Sequence, residues 1–401
     1  MKVAYIVSRF PRTSETFILR ELVAVAQEPD MDVVLCSLFP SKDVVTHPAA
    51  RPWVACLNRP RPAEAVRDLL VWAVRRPRRL SSTIAAVVRG YRTKPGLLVR
   101  ALVTVALAST HARTLARAGV THVHAHYASY PALAAWVVNQ LAEVPYSFTA
   151  HAHDIYLDRS FLHRKVADAR FVIAISDFNR RLLARESIGA TTPIYVIHCG
   201  VQPQCYAFRR RRPCLEQRVR AICVASLQEH KGHRVLLAAV AAGGTALARI
   251  ELHFVGDGEL REALQVQAVS LGLGSRVHFH GNLPQEQVAT QLDSASVFVL
   301  PCLRTSNGRM DGIPVAIMEA LACGLVVVST RLSGIPELVE DGVTGFLAEP
   351  GDVRSLVQAL ERALSPEAAT LDPARGRAVV DDEYNADLNA RRLISIMRAA
   401  D

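Results

Sequence analysis

The segment VFVLPCLRTSNGRMDGIPVAIMEALACG, residues 297 to 324, carries the clearest indication of the fold. An apolar run ends at Pro301, and a polar loop with two glycines follows. A helical pattern then begins near Pro314, which is a good first helical residue because its missing N–H costs nothing there. A strand that leads through a loop into a helix is one step of an α/β fold, in which helices cover both faces of a parallel sheet.

The same alternation of strands and helices recurs along the chain in two successive series. Predicted strands lie at 3–8, 33–38, 122–125, 146–150, 171–175 and 195–197, and then at 221–225, 251–255, 277–280, 297–301, 326–329 and 345–347. Helical patterns include 15–26, 131–141, 179–185, 234–240, 259–271 and 355–364. We therefore predict two Rossmann-like, doubly wound parallel-sheet domains that face each other across a cleft. They are predicted at 1–203 and 217–380, with a linker at 204–216 and a terminal helix at 381–401 that packs back on the first domain.

The positive charge of the chain is concentrated in one region. The 401 residues carry a net charge of +10, and the segment 51–120 alone holds 14 basic and 2 acidic residues. Basic residues mixed with apolar ones are typical of a surface that contacts anionic membrane lipids. A solvated, arginine-rich face explains the same pattern equally well. Nucleic acid is not expected as a partner, because the region contains no recognisable binding module.

Cysteine usage and hydropathy bear on the location of the protein. The eight cysteines form no C-x-x-C pair and no zinc-binding spacing, which is typical of a reducing compartment. The best candidate for a membrane span, 101–109, is too short, so none is expected. We expect a cytoplasmic protein, with possible peripheral contact at the inner face of the cell membrane, and no metal or other cofactor.

Two carboxylates flank the predicted helix start, Asp311 just before it and Glu319 about one and a half turns inside it. The free N–H groups and the positive dipole end of a helix suit a diphosphate. Carboxylates accept hydrogen bonds from the hydroxyl pairs of ribose and other sugars. The spacing therefore suits a ligand with sugar hydroxyls on both sides of a phosphate group, although a capping Asp and an ordinary helical Glu would look the same.

This segment resembles the E-x7-E signature of glycosyltransferase family 4, with Asp311 in place of the first Glu. The form of the segment is similar to the branch that includes colanic-acid and other exopolysaccharide biosynthesis transferases. Further similarities follow in the expected order: SRFPRTSETFILREL (8–22), HVHAHYA (122–128), SFTAHAHDIY (147–156), FVIAISDFN (171–179) and STRLSGIPELVEDGVTGFL (329–347). The resemblance implies the GT-B fold. It also implies retaining, metal-independent sugar transfer from a UDP-, GDP- or ADP-sugar to a polysaccharide or lipid-linked oligosaccharide acceptor.

The resemblance also implies roles around the helix start. Glu319 would hold the ribose of the nucleotide, and Asp311 would contact the hydroxyls of the donor sugar. The donor-binding residues at the helix start would be Gly312, Ile313, Pro314 and Val315, with N–H groups near the first two helping Asp311.

A second donor element is HKGH, residues 230 to 233, in which Lys231 would neutralise the leaving diphosphate. The family usually has an arginine five residues before this lysine, where this chain has Ser226. Arg309, Arg304 or Arg12 could supply the missing cation.

The turn FVGDGEL, residues 254 to 260, contains Gly256, which in the family lies near the nucleotide base. The residues themselves predict a tight turn in which Asp257 caps the next helix. This element is therefore interpreted as mostly structural.

The first domain is predicted to supply the remaining site residues. The resemblance places His151 near the donor sugar and the reacting centre. Candidate acceptor or loop contacts are Arg12, Ser14, Glu15 and Asp154, and Ser14 is also a plausible helix cap. His122, His124 and His126 would share one face of a strand. The sequence offers no neighbouring carboxylate or cysteine to them, so we expect them to line the core or the cleft.

Two other functions remain open at this stage. A GT-B sugar-nucleotide 2-epimerase would convert donor without an acceptor. A catalytically silent nucleotide-sugar sensor would bind without transfer, and Ser226 in place of arginine gives that alternative some support.

Overall fold

The computed structural model describes residues 1–12, 15–43, 48–210 and 218–400, which form two compact units. Unit 1 consists of Met1–Ile197 together with Asp387–Asp401, and unit 2 consists of His198–Ala386. Each unit contains one six-stranded sheet whose strand pairs are all parallel. The predicted fold class, two Rossmann-like α/β domains, is confirmed. The sequence placed the change of domain at 203–204, and part of the predicted linker, 211–217, lies outside the described residues.

Unit 1 is built on the strands β1 (Lys2–Phe10), β2 (Asp32–Pro40), β3 (His122–His126), β4 (Tyr146–Ala150), β5 (Phe171–Ala174) and β6 (Ile194–Val196), in the order β2-β1-β3-β4-β5-β6. Its helices up to β6 are α1 (Thr16–Ala26), α2 (Arg51–Ala55), α3 (Pro62–Arg75), α4 (Pro77–Tyr91), α5 (Pro95–Arg117), α6 (Tyr130–Ala142), α7 (His153–Tyr156), α8 (Leu162–Ala167) and α9 (Asp177–Glu186). Strands β3, β4 and β5 are buried along their whole length, as expected for parallel strands covered on both faces.

Unit 2 is built on the strands β7 (Val219–Val224), β8 (Ile250–Val255), β9 (Val277–Gly281), β10 (Val297–Val299), β11 (Val326–Thr330) and β12 (Gly345–Ala348), in the order β12-β11-β10-β7-β8-β9. Its helices are α10 (His233–Ala242), α11 (Gly244–Leu247), α12 (Arg261–Ser270), α13 (Gln285–Asp293), α14 (Val315–Ala322), α15 (Ile335–Leu338), α16 (Val353–Ala363) and α17 (Pro373–Glu383).

The strand order locates the binding edge of each sheet. In unit 2 the order reverses between β7 and β10, and in unit 1 it reverses between β1 and β3. Open α/β sheets bind ligands outside the carboxyl ends of their strands at such a reversal, because the connections leave in opposite directions and open a crevice. The loops that follow these four strands are therefore where functional residues are expected.

The helix start predicted near Pro314 is correct to within one residue. Helix α14 begins at Val315, and Pro314 precedes it as the N-cap residue with an extended backbone (φ −64°, ψ 128°). The prediction that Asp257 caps the next helix is wrong. Its carboxylate accepts a hydrogen bond from the adjacent Gly258 N–H at 2.8 Å, and α12 starts only at Arg261, because the turn geometry, which sequence patterns describe least well, delays the helix start.

The chain ends in helix α18 (Ala386–Ala400), most of which belongs to unit 1. Its apolar face, Leu393, Ile394 and Met397, joins a core that contains residues from β1 and α1. Arg398 is ion-paired to Asp30 at 2.5 Å. The last helix is thus part of the hydrophobic core of unit 1.

Helix α5 is longer than the apolar run 101–109, which was expected to be too short to span a membrane. Pro95–Arg117 contains 23 residues and is long and apolar enough to cross a membrane by length and composition. Half of its most apolar stretch is buried inside the protein.

Buried histidines in both units link stability to pH. Burial lowers the pKa of His111 to about 4, that of His122 to about 4 and that of His233 to about 3, with smaller effects from neighbouring groups. In the unfolded chain each histidine has its ordinary pKa of about 6.5. Below about pH 6.5 these histidines are therefore protonated in the unfolded state but remain neutral in the folded state. The free energy of unfolding decreases as the pH falls from 6.5 towards 4.

We predict that the free energy of unfolding of unit 1 falls steeply between pH 7 and pH 5. Each buried histidine with a folded pKa near 4 should cost about 2 kcal/mol over that interval. All three tryptophans (Trp53, Trp72, Trp136) lie in unit 1, so urea unfolding followed by tryptophan fluorescence reports on this unit. The variant His111→Leu should reduce the pH-dependent loss by about 2 kcal/mol. An unchanged pH dependence would contradict the assignment.

Candidate functional site

A buried ion pair joins the two loops at the strand-order reversal of unit 2. Lys231 ends the short turn after β7, and Asp311 lies in the loop after β10. The Lys231 ammonium lies 2.9 Å from the Asp311 carboxylate, and both side chains are largely buried. The structure therefore brings together two residues that are 80 positions apart in the sequence and that were predicted to contact the donor separately.

The pair is charged at neutral pH. Burial alone would raise the pKa of Asp311, but the positive charges of Lys231 and, to a smaller extent, His230 outweigh it and hold the pKa below its usual value. Burial alone would lower the pKa of Lys231, but Asp311 reverses the effect and raises it. The site thus holds a largely buried ammonium–carboxylate pair, and an ammonium in such surroundings interacts strongly with an incoming anion.

Further groups fix the Asp311 loop. The thiol of Cys302 donates to the Asp311 carboxylate at 3.2 Å. The hydroxyl of Ser333 lies within hydrogen-bonding distance of the carbonyl oxygens of Asp311 (2.6 Å) and Gly312 (2.5 Å). Neither Cys302 nor Ser333 was predicted, since no pattern in the sequence connects them with the loop. Their contacts leave the Asp311 side chain little freedom.

Gly232 explains how the Lys231 turn can reach this loop. It adopts a left-handed conformation (φ +76°), and a Cβ atom at this position would lie 1.9 Å from the carbonyl oxygen of Pro301. Only glycine allows backbone to pack on backbone this closely. The G of the HKGH motif is thus required by the close approach of two loops.

Glu319 lies on α14 and accepts a hydrogen bond from the Tyr206 hydroxyl at 2.7 Å. The amide of Gln285 lies 3.3 Å from the same hydroxyl. Tyr206 is buried, although it falls in the segment predicted as a linker. The tyrosine therefore orients the carboxylate that was predicted to hold ribose. In the sequence, Tyr206 is visible only as an aromatic residue among polar ones.

The other residues predicted at the helix start lie where the motif placed them. Gly312, Ile313 and Pro314 are buried directly before α14, and Val315 is its first residue. In the first turn of α14 the Ile317 N–H donates to the Pro314 carbonyl oxygen at 3.1 Å. The N–H groups that precede it in the turn are those that a helix start can direct at an anion. This position remains a prediction for the diphosphate.

The cation that would replace the usual arginine is not fixed by the structure. Ser226 is exposed after β7. Arg309 donates to the Gln228 side chain at 3.0 Å, in the same turn, while Arg304 is exposed. Arg309 is thus tied to the turn that carries Lys231.

Gly256 has a structural reason for its identity. Its φ is +134°, and a Cβ atom there would lie 2.1 Å from the carbonyl oxygen of Ala225. The turn after β8 therefore packs directly on the loop after β7, in agreement with the structural interpretation of this element.

In unit 1 three side chains, Glu21, His126 and His151, contact one another in sequence. The Nε2 atom of His126 lies 3.2 Å from the Glu21 carboxylate, and its Nδ1 atom lies 3.2 Å from His151 Nε2. A carboxylate accepts, so His126 donates from Nε2 and accepts at Nδ1 from the Nε2–H group of His151. Burial, with smaller effects of His126 and His153, holds the pKa of His151 well below its usual value. His151 is therefore a neutral group of defined tautomer.

Aromatic rings enclose His151. The ring centroid of Tyr127 lies 4.5 Å and that of Phe17 lies 5.0 Å from the His151 ring. Glu21, Tyr127 and Phe17 were not predicted. Tyr127 could have been found, because it directly follows β3 at the carboxyl end of the sheet.

Asp154 holds the backbone of the His151 loop. Its buried carboxylate accepts hydrogen bonds from the N–H groups of Ala128 (2.7 Å), Ala152 (2.7 Å) and His151 (3.1 Å). The side chain of Asn179 donates to the carbonyl oxygen of His151. These bonds fix the loop, and the acceptor contact of Asp154 stays a prediction.

Arg12 and Glu15 lie close together after β1. The Arg12 guanidinium is 3.9 Å from Glu15 and 3.8 Å from Asp43. Burial raises the pKa of Glu15 in spite of the neighbouring Arg12. Ser14 lies outside the described residues, and Glu15 occupies the N-cap position of α1 without a capping side-chain hydrogen bond.

Among the residues that the structure describes, two groups of side chains could hold a metal ion. They are Glu21 with His124 and His126 in unit 1, and Glu251 with His253 and His278 in unit 2. The sequence offered no carboxylate to the histidines of β3, and this expectation was wrong, because α1 brings Glu21 against His126. His122, His124 and His126 do share one face, where Ser147 lies 2.7 Å from His122 and 2.8 Å from His124.

We predict that Lys231→Met destabilises unit 2 by about 3–5 kcal/mol, because it leaves the Asp311 carboxylate buried without its counter-ion. The double variant Lys231→Met/Asp311→Asn should recover most of this loss. The measurement is urea unfolding followed by hydrogen exchange of peptides from unit 2. Without Lys231, burial should raise the pKa of Asp311 above its unfolded value, so the deficit of the single variant should shrink as the pH is lowered from 7 to 5. Additive effects of the two substitutions would contradict the pairing.

Comparison with protein families identifies both units. Residues 50–204 match the family model described as Glycosyltransferase Family 4, and residues 218–366 match the model described as Glycosyl transferases group 1. The first match lies almost wholly in unit 1 and the second wholly in unit 2.

Two relatives of known sequence are named for amylovoran and colanic acid biosynthesis. The chain is 37% identical over 205 residues to the amylovoran biosynthesis glycosyltransferase AmsK of Erwinia amylovora, covering 51% of this chain and 50% of the relative. It is 36% identical over 180 residues to the putative colanic acid biosynthesis glycosyltransferase WcaL of Escherichia coli K12, covering 44% of each chain. The matched region thus spans half or less of the length of these relatives.

Solved structures share the fold over the full chain. The Anabaena protein Alr3699/HepE in complex with UDP aligns with a TM-score of 0.74 at 16% sequence identity, covering 100% of both chains. Two parallel six-stranded sheets in this arrangement of units along the chain are those of the GT-B fold. With both family models and the ordered motifs matched, the chain belongs to glycosyltransferase family 4 and has the GT-B fold.

Proposed function

We propose that the protein is a retaining, metal-independent glycosyltransferase of exopolysaccharide biosynthesis. It would move a sugar from a nucleoside diphosphate sugar to a polysaccharide or lipid-linked oligosaccharide. The observation that carries this proposal is the buried Lys231–Asp311 pair at the strand-order reversal of unit 2, within a chain of this family. The relatives named for amylovoran and colanic acid biosynthesis support the assignment to exopolysaccharide.

The donor would bind to unit 2. The Lys231 ammonium and the N-terminus of α14 supply two sources of positive charge, and a diphosphate that gains charge as it leaves is stabilised by both. Glu319, oriented by Tyr206, would accept hydrogen bonds from the ribose hydroxyls. Helix α14 would thus bind the ribose through Glu319 and the phosphates at its N-terminus.

The state of Asp311 supports retention without a covalent intermediate. A carboxylate bound to an ammonium and a thiol has a lowered pKa and is a weak nucleophile. It still has lone pairs with which to accept hydrogen bonds from sugar hydroxyls. We therefore favour a path in which the leaving phosphate takes the proton of the incoming hydroxyl on the same face of the sugar.

Unit 1 would supply His151 as a neutral hydrogen-bond partner for a sugar hydroxyl. Its tautomer is set by His126 and Glu21, and its backbone is held by Asp154. Arg12 and Glu15, in the loop after β1, would contact the phosphate or the acceptor.

The alternative that one observation favours is a nucleotide-sugar sensor without activity, since the exposed Ser226 replaces the usual arginine. Product analysis separates the possibilities. Transfer to an acceptor supports the transferase, a new nucleotide sugar without acceptor supports a 2-epimerase, and binding without either product supports the sensor.

We predict that one nucleotide family among UDP, GDP, ADP and their common sugar conjugates raises the melting temperature of the purified protein. UDP is the first to test, because the structurally similar Anabaena protein binds it. A ligand at about 100 times its Kd stabilises by about 2.7 kcal/mol, which corresponds to roughly 5–10 °C for a domain of this size. Glu319→Gln should abolish most of this shift, because a neutral amide accepts ribose hydroxyls less strongly.

The matched control is Glu361→Gln, which removes a carboxylate from the exposed face of α16 in the same unit. It should respond to the nucleotide like the wild type. Equal shifts for Glu319→Gln and the wild type would overturn the site, and no shift with any nucleotide would overturn the proposed donor.

We also propose that unit 1 contacts anionic membrane lipid from the cytoplasmic side. Val66, Leu70 and Val74 recur every four residues on α3 and are 61%, 63% and 83% exposed. Arg75 lies at the end of the same helix, so positive charge borders the apolar stripe, as in helices that lie in the membrane interface. Arg67 is ion-paired to Asp68 at 3.0 Å, and Arg76 and Arg79 are engaged with Glu143. The lipid surface would place the enzyme near a lipid-linked acceptor.

We predict that the triple variant Val66→Ser/Leu70→Ser/Val74→Ser loses most co-sedimentation with vesicles that contain anionic lipid. The reason is the loss of buried apolar area, worth about 0.8 kcal/mol per CH₂ group. The control, Val266→Ser/Val269→Ser/Leu271→Ser, removes three exposed apolar side chains from unit 2 and should sediment like the wild type. Equal sedimentation of both variants would show that the stripe does not contact lipid.

A further inference from the structure

The edge of the unit 2 sheet carries four potential metal ligands on one face. Glu251 and His253 are two residues apart on β8, and His278 and His280 are two residues apart on β9. Side chains at alternate positions of a strand point to the same face. His253 and His278 are direct neighbours in the parallel register, so all four belong to the same face. None of them was predicted to take part in sugar transfer.

The ligand atoms converge. The Nδ1 atom of His253 lies 2.9 Å from Nε2 of His280, and the ring centroids of His253 and His278 are 4.7 Å apart. One ligand atom each from Glu251, His253 and His278 lies within 4.8 Å of the other two. Ligands bound to one tetrahedral zinc ion at about 2.0–2.1 Å are separated by distances of this order.

Access and available nitrogens distinguish this group from the histidines of unit 1. In unit 1, His124 has its Nδ1 atom 2.8 Å from Ser147 and its Nε2 atom 2.9 Å from Thr149, so a metal would have to displace both hydroxyls. At the edge of unit 2, His278 is exposed and β9 is the last strand of the sheet. Within the described parts of the chain, no hydrogen bond to the ring nitrogens of His278 is found.

We propose that Glu251, His253, His278 and His280 form a binding site for a divalent transition-metal ion such as Zn²⁺. Imidazole nitrogens with one carboxylate oxygen are a ligand set that suits zinc, copper and nickel. The ion would replace the direct His253–His280 contact and would tie the edge strand β9 to β8. The site is independent of the proposed sugar transfer.

Two arginines bear on the affinity of this site. Arg218 is ion-paired to Glu251 at 2.6 Å and must share this carboxylate with the metal. Arg220 lies on β7 opposite Glu251, and its positive charge opposes the binding of a cation. Glu251 therefore provides the negative charge that the site needs, and its removal should weaken binding.

The test is zinc titration of the full chain after removal of metal with a chelator, followed by calorimetry and by the melting temperature. We expect one saturable site and a higher melting temperature. His278→Ala and His280→Ala should each weaken binding at least about tenfold, since even outer-shell partners of a metal are worth about 10- to 100-fold. The control His163→Ala removes an exposed histidine from α8 and should bind like the wild type.

Co²⁺ as a second probe separates this site from the free cysteines, of which Cys56 and Cys205 are exposed. Ligation by nitrogen and oxygen alone gives d–d absorption without a thiolate-to-cobalt charge-transfer band. Because His278 is exposed, its variant should melt like the metal-free wild type, which shows that loss of binding is not loss of folding. Wild-type affinity in both His278→Ala and His280→Ala, or a thiolate band, would overturn the proposal.

Discussion

The packing of Gly232 on the carbonyl group of Pro301 is the constraint on which the candidate site of unit 2 depends. It brings the turn after β7 against the loop after β10, at the position where the strand order reverses. Lys231 is carried into a largely buried environment by this turn, and an ammonium there requires a counter-ion. Asp311 supplies this counter-ion. The pair stays ionised because the charge of each partner shifts the pKa of the other more than burial does. The backbone packing therefore places the ammonium that the proposed diphosphate site would use.

In unit 1 the loop that carries His151 is also fixed by a buried charge, in this case the carboxylate of Asp154. The carboxylate of Asp154 is buried and accepts three backbone N–H groups, which holds the segment that carries His151. The imidazole itself is held through His126 by Glu21. In both units a buried carboxylate accepts hydrogen bonds from several donors, and such a network restricts a side chain to one geometry. Preorganised groups of this kind are what a transfer reaction uses.

The basic region divides into structural and surface charges. Asp68 is buried between α3 and α5, where Arg67 at 3.0 Å and Arg113 bind its carboxylate. Arg76 and Arg79 are ion-paired to Glu143, the residue that follows α6. The net charge of the region, read from composition, therefore overstates what is available to a membrane. What distinguishes the outer surface is the apolar stripe on α3, which lies among the remaining arginines.

The alternation of apolar strands and amphipathic helices was sufficient to predict two parallel α/β domains, because buried parallel strands require continuous apolar runs. The position of Asp311, Glu319 and Lys231 near a helix start and strand ends was likewise predictable, since local patterns place residues along the chain. The helix cap predicted at Asp257 was wrong, because turn geometry depends on which backbone packs nearby. Contacts between residues far apart in the sequence could not be predicted. Examples are the contacts of Lys231 with Asp311, Tyr206 with Glu319, and Glu21 with His126. Only the sheet order brings such residues together, and no local periodicity encodes it. The sequence thus determined the elements and the chemistry that each could offer, while the tertiary structure decided which charges are paired, which carboxylate holds a loop and which histidines share a face.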